Sequence, residues 1–227
     1  MSKTIPIDVN ELNRIAEAGG QLGVATEDIE GFTRTMADLS VATNLTSEAA
    51  AEGLAQFANI IDSELGPQFD KLGSTVVELG NKSAATESQI LDFGLRLAGA
   101  GKIAGMSEAE ILGMGTALAS VGINAEAGGT AFSKVMIELA SAVEGGGDAL
   151  EGFAEVAMGA AGKSKEFALA FKEAPAEAMT MFVEGLGRIE RAGGDLFGML
   201  EKLGVTETRM RDALLRSANA GDLLRES

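Results

Sequence analysis

The sequence holds no histidine and no cysteine, and these two absences remove most routes to enzymatic chemistry. A Ser-His-Asp triad, a Cys-His pair, a zinc site of the usual ligands and a Glu-x-x-His di-iron motif each need one or the other. Lack of cysteine also excludes disulfides and thiolate sites, which fits synthesis in a reducing compartment. Tryptophan and tyrosine are missing too, so phenylalanine supplies the whole aromatic content of 4%. With so few rings to stack a sugar, the plentiful carboxylates, as in Glu108/Glu110 and Glu151/Glu155, read as solvated helix surface rather than a glycosidase pair. No serine opens a Ser-x-x-Lys nucleophile motif. We therefore expect no catalytic, cofactor-binding or metal-ligating residue, no cofactor and no enzymatic activity.

Positive charge is scarce: 18 Lys and Arg stand against 34 Asp and Glu, a formal net charge of −16. Nucleic-acid affinity comes largely from Lys and Arg displacing counterions, so this balance argues against a phosphate-backbone partner. It argues equally against acidic or neutral membranes as partners. No run of about 18 apolar residues is present to span a bilayer. The N-terminus, Met1 to Pro6, lacks the apolar stretch of a secretory signal, and the sequons at Asn44 and Asn81 are then chance matches.

What the chain does have is small apolar residues. Hydrophobic content is 46% of 227 residues, enough for a substantial core, with Ala, Gly, Leu and Met as its main suppliers. Apolar residues recur at steps of three and four: Ile29, Phe32, Met36 and Leu39; Ile90, Phe93 and Leu97; Met179, Phe182, Val183 and Leu186. No stretch alternates with period two. The pattern predicts an all-α fold of about ten to twelve short helices without a sheet, near 8–18, 26–42, 47–61, 67–80, 86–100, 107–121, 125–144, 148–158, 164–173, 175–191, 195–202 and 206–219. Capping-box spacing marks Asp8 with Glu11, Thr86 with Gln89, and Ser107 with Glu110. Stops are expected at Gly19-Gly20, Gly101, Gly122, Gly145-Gly146-Gly147, Gly193-Gly194 and Gly204. Pro175 suits the first turn of its helix. We expect one domain over residues 1–227, with an internal division near 145–147 as the alternative.

One string imitates a nucleotide-binding loop. Ala157-Met158-Gly159-Ala160-Ala161-Gly162-Lys163-Ser164 has the Gly-Lys-Ser end of a P-loop, but Ala157 replaces the first glycine. Residues 148–158 also read as a helix, not the buried strand that a P-loop follows. The better reading is a turn at Gly159 and Gly162, with Ser164 capping the helix that carries Phe167 and Phe171.

The most distinctive stretch is Ile111 to Met136: a small-residue helix ending at Gly122, an Ile123-Asn124-Ala125 elbow, a Gly128-Gly129 pair and a helix carrying Phe132, Val135, Met136 and Leu139. With its helix start at Ser107 to Leu112, this resembles the core region of phage tail tape measure proteins. Further similar pieces occur in the family's order: Ile15 to Val24, Gly80 to Phe93, Lys165-Glu166-Phe167, the Pro175 helix with Phe182 to Leu186, Leu203-Gly204-Val205, and Arg211 to Arg216. Residues Ala157 to Gly162 depart from the family's usual link.

The resemblance implies a structural protein of long-tailed phages or prophages that acts as scaffold and template in tail assembly and sets tail length. Its implied partners are further copies of itself, tail tube proteins, baseplate or tail tip proteins and an assembly chaperone. Its implied places are the virion tail and, during assembly, the host cytoplasm. Family members are typically much longer, so the chain is expected to be a fragment or a shortened form. A free-standing helical interaction module or tail assembly chaperone, and a murein hydrolase-bearing tail protein, are the alternative readings. Caps and glycine stops every 10–20 residues predict helices folded back on one another rather than a single measuring rod.

Overall fold

The computed structural model describes residues 6–61 and 69–218, which form twelve helices and no strand. In chain order these are α1 (Val9–Gln21), α2 (Ile29–Ala42), α3 (Ser47–Ile61), α4 (Phe69–Lys82), α5 (Glu87–Ala104) and α6 (Glu108–Ser120), then α7 (Ala125–Gly145), α8 (Gly147–Met158), α9 (Ser164–Glu173), α10 (Pro175–Arg191), α11 (Leu196–Lys202) and α12 (Thr208–Ser217). The all-α expectation holds. The expected start at 67 and end at 219 lie outside the described residues.

The apolar stripes face inward as their spacing requires. Phe32 and Met36 of α2, Ile90 and Leu97 of α5, and Met179, Phe182, Val183 and Leu186 of α10 are all fully buried. Helix α6 differs, because every residue from Ile111 to Ala119 is buried; a helix apolar all round belongs inside a core. Helix α5 is the hub, packed on α3, α4, α6 and α7, while α7 carries the chain on to α8 and α12. Helices α8, α9 and α10 pack mutually, while α1 and α2 pack on each other and on α3, with α2 also against α4. The buried side chains join in one continuous cluster.

Two expected capping boxes form, at Thr86/Gln89 and Ser107/Glu110. The third does not. Asp8 caps α1 by accepting from the Asn10 amide at 2.8 Å, and Glu11 instead accepts from the Ser47 hydroxyl of α3 at 2.5 Å. Tertiary pairing has taken the carboxylate that a local cap would have used.

Other expected boundaries also shift. Helix α1 runs through Gly19 and Gly20, and the positive φ falls on Gly23. Helix α5 runs through Gly101, and its left-handed cap is Gly105. Both internal glycines are contact residues: a Cβ on Gly101 would stand 2.5 Å from Ile111 Cγ1, and one on Gly19 2.8 Å from the Phe32 ring. Helix α2 starts at Ile29 rather than 26, after the Asp28 amide turns back to the Ala25 carbonyl. Between α7 and α8 the break shrinks to Gly146, with positive φ there and at Gly147.

Candidate functional site

The elbow between α6 and α7 is built as its residues suggest. Gly122 ends α6 with φ of 74°, a conformation that L side chains with a branched Cβ resist. The Asn124 side chain then caps α7, accepting from the Glu126 and Ala127 amides at 2.9 and 3.4 Å. Gly128 and Gly129 lie inside the first turns of α7, where they bring it onto α5. A Cβ on Gly128 would run into Ile123 and the Phe93 ring, and one on Gly129 would stand 2.7 Å from Arg96 Cβ. Ser133 seals the contact by donating to the Arg96 carbonyl at 2.8 Å.

Beside this elbow lies an open groove of about 410 Å³ between α7 and the start of α12, lined by Asn124, Glu126, Thr130, Glu207, Arg209 and Met210. Its side chains can donate and accept hydrogen bonds and carry both signs of charge.

The P-loop-like string adopts a different role from phosphate binding. Ala157 and Met158 finish α8, and Gly159 and Gly162 take positive φ. Ser164 is the first residue of α9 rather than its cap; Lys163 holds the cap position without a capping bond from its side chain, which pairs with Glu166 instead. The reason is Glu151 of α8, which accepts hydrogen bonds from both the Gly162 amide and the Ser164 hydroxyl. The chain's own carboxylate stands where an anion would be held. Those two donors, the amide first, hold the Glu151 carboxyl below its ordinary range.

A second junction joins α8 to α10. Gly185 lets α10 approach so closely that a Cβ would fall onto the Val156 carbonyl. One turn on, Arg188 Nη2 donates to the Val156 and Ala157 carbonyls at 3.2 and 2.6 Å. These are among the last carbonyls of α8, which lack partners in their own helix and favour a cation. Sequence reasoning missed Arg188, whose signal is its place one turn beyond Gly185.

The carboxylates Glu108/Glu110 and Glu151/Glu155 do not form a facing pair: Glu110 is held in the Ser107 cap and Glu151 in the α8–α9 turn. Among the described residues no group of three acidic side chains is arranged to hold a metal ion. No helix among them is long and apolar enough to cross a membrane.

No curated protein and no solved structure matches the chain. The model of one family, described as phage-related minor tail protein, matches residues 1–198, a span that takes in the elbow, both close junctions and the P-loop-like turn. The chain belongs to the phage-related minor tail protein family.

Proposed function

We propose that this chain is the helical core of a tape measure protein, acting as scaffold and template while a tail assembles and its length is set. The observation that carries this reading is the elbow at Gly122 to Gly129. It is the segment with the fullest resemblance to the tape measure core, and through Gly129 it brings α7 close onto Arg96 of α5.

The measuring itself lies outside this fold. A ruler gains about 1.5 Å per residue along a single helix, so 227 residues in one rod would reach roughly 340 Å. Helices that turn back every few turns cannot deliver that length. The chain instead anchors, caps or nucleates assembly, as one unit in which residues on both sides of 145–147 share the core. It works as a homo-oligomer beside tube, tail tip and chaperone proteins.

Three measurements test the reading. Small-angle scattering on the monomer should give a radius of gyration of about 17 Å, and light scattering should find a species heavier than 23.3 kDa. In a phage that encodes the chain, an in-frame deletion of α8 and α9 should abolish normal tails. Tails that merely shorten by about 1.5 Å per deleted residue would make this segment the ruler and overturn the anchoring role.

A further inference from the structure

Helix α7 gives way to α8 across the single residue Gly146. The α7 ladder still reaches that residue, because the Gly146 amide donates to the Ala142 carbonyl at 2.7 Å. The bend comes from positive φ at Gly146 and Gly147, 69° and 73°. Unlike Gly128 or Gly185, these glycines make no room for a neighbour: a Cβ on Gly145, Gly146 or Gly147 would meet nothing within 4 Å. Nor does a side chain cap the start of α8. Glycine permits the bend, since it takes positive φ about as readily as negative, but nothing local holds it.

What holds it is the chain folding back. Helix α12 packs along α7, α8 lies against α7, and α10 touches α6. The turn between α11 and α12 sits against both arms of the bend. A Cβ on Gly152 of α8 would stand 3.0 Å from Leu203 Cδ2, and one on Gly204 would stand 4.0 Å from Glu138 Cδ of α7. Val205 of that turn and Leu214 of α12 are fully buried. The α6–α7 face of one copy is therefore complementary to its own α8–α12 unit, and the identical unit of a second copy fits it through the same contacts. Such an exchange requires no new interface between two chains of net charge −16.

We propose that two copies of this chain associate by exchanging their α8–α12 units across an α7–α8 joint that straightens at Gly146 and Gly147. In the exchanged pair Ala125 to Met158 form one helix about 50 Å long, and each α12 packs on the α7 of the other copy. Exchange of an identical element is an accessible route to dimers, and a short connection between elements invites it. The proposal rests on the homo-oligomer reading above and names how the copies meet.

The test uses the absence of native cysteine. Thr130 of α7 and Arg209 of α12 line one groove, and both are exposed. The full chain carrying only Thr130→Cys is mixed with the full chain carrying only Arg209→Cys, unfolded and refolded together, and treated with a short bismaleimide. A cross-linked pair of the two variants is expected, well above what either gives alone. Gly146→Ala with Gly147→Ala disfavours the bend and favours the straight helix, so it should raise the yield of the exchanged pair by about tenfold at limiting concentration. A Gly-Ser-Gly-Ser insertion after Gly146 relaxes the joint and should reduce the pair to background; it carries the comparison if the Ala variant fails to fold. No cross-linked pair from the native joint overturns the exchange, and so does a yield that all the joints share. Light scattering then separates the two readings: a species heavier than 23.3 kDa leaves the homo-oligomer standing through another interface, whereas a lone monomer removes both.

Discussion

Around α6 the helices meet through missing side chains, whereas α1 and α2 meet at one glycine and then diverge. At the first junction Gly94, Gly101, Gly115 and Gly128 each sit where a Cβ would press on a neighbouring helix or on the elbow. The result is a helix buried on every side from Ile111 to Ala119. At the second, Gly19 alone makes close contact and Gly20 has open space beside it. Both regions are Ala- and Gly-rich in sequence. Small residues therefore give tight packing only where a facing helix supplies matching bulk, and elsewhere they leave a groove.

The same rule is tested most sharply at a third junction, between α8 and α10, where a methyl group meets the tightest closure. Gly185→Ala would put a Cβ onto the Val156 carbonyl, with the carbonyl carbon 2.6 Å away, and backbone cannot step aside as a side-chain tip can. Loss of about 3 kcal/mol or more is expected from such overpacking, measured by urea unfolding. An unchanged midpoint would mean that α8 and α10 are not held at this distance.

Next in size is Gly122→Val, which has space around its Cβ but a φ of 74°. The cost, about 2 kcal/mol, is backbone strain alone. Chemical denaturation should show it, and Gly122→Asn, which tolerates the left-handed region, should recover most of it.

The open pair predicts the opposite sign. Gly20 is exposed inside α1 with nothing near its Cβ, so Gly20→Ala should stabilise by about 1 kcal/mol through helix propensity. A loss on substitution, read as a lower melting temperature, would show that α1 and α2 are closer than the groove implies.

The smallest effect concerns pH. The folded Glu151 carboxyl lies below its ordinary value of 4.5 because it accepts from Gly162 and Ser164. Its stabilising contribution is therefore complete above that ordinary value and is lost as pH falls through the lowered folded one. Between neutral pH and pH of about 3, wild type should lose more of its denaturation midpoint than Glu151→Gln does. Parallel profiles would remove Glu151 from the α8–α9 turn.

Much of the helix inventory was legible because its signals are local. The Thr86 and Ser107 capping boxes, Pro175 at the start of α10 and Gly122 at the end of α6 act through residues within one turn, and each stands where it was expected. The misplaced features share a non-local cause. Gly101 looked like a stop, yet it is a seat for Ile111; Glu11 looked like a capping partner, yet it is taken by Ser47; Ser164 looked like a cap, yet it serves Glu151. The elbow was visible as a string, but the groove that Asn124, Glu126 and Thr130 share with Arg209 was not, since α12 lies far along the chain.

The sequence by itself determined the helical class, the lack of His- and Cys-based chemistry, the acidic charge and most helix starts, because composition and one-turn capping need no distant partner. Tertiary structure alone decided which glycines end a helix and which let two helices touch. A glycine's missing Cβ relieves backbone strain and opens contact space equally well, and only the neighbour brought in by the fold selects between the two. The same neighbour decides which carboxylates are occupied. It also decides that the buried hydroxyl of Thr33, between α1 and α2, is left without a partner among the described residues.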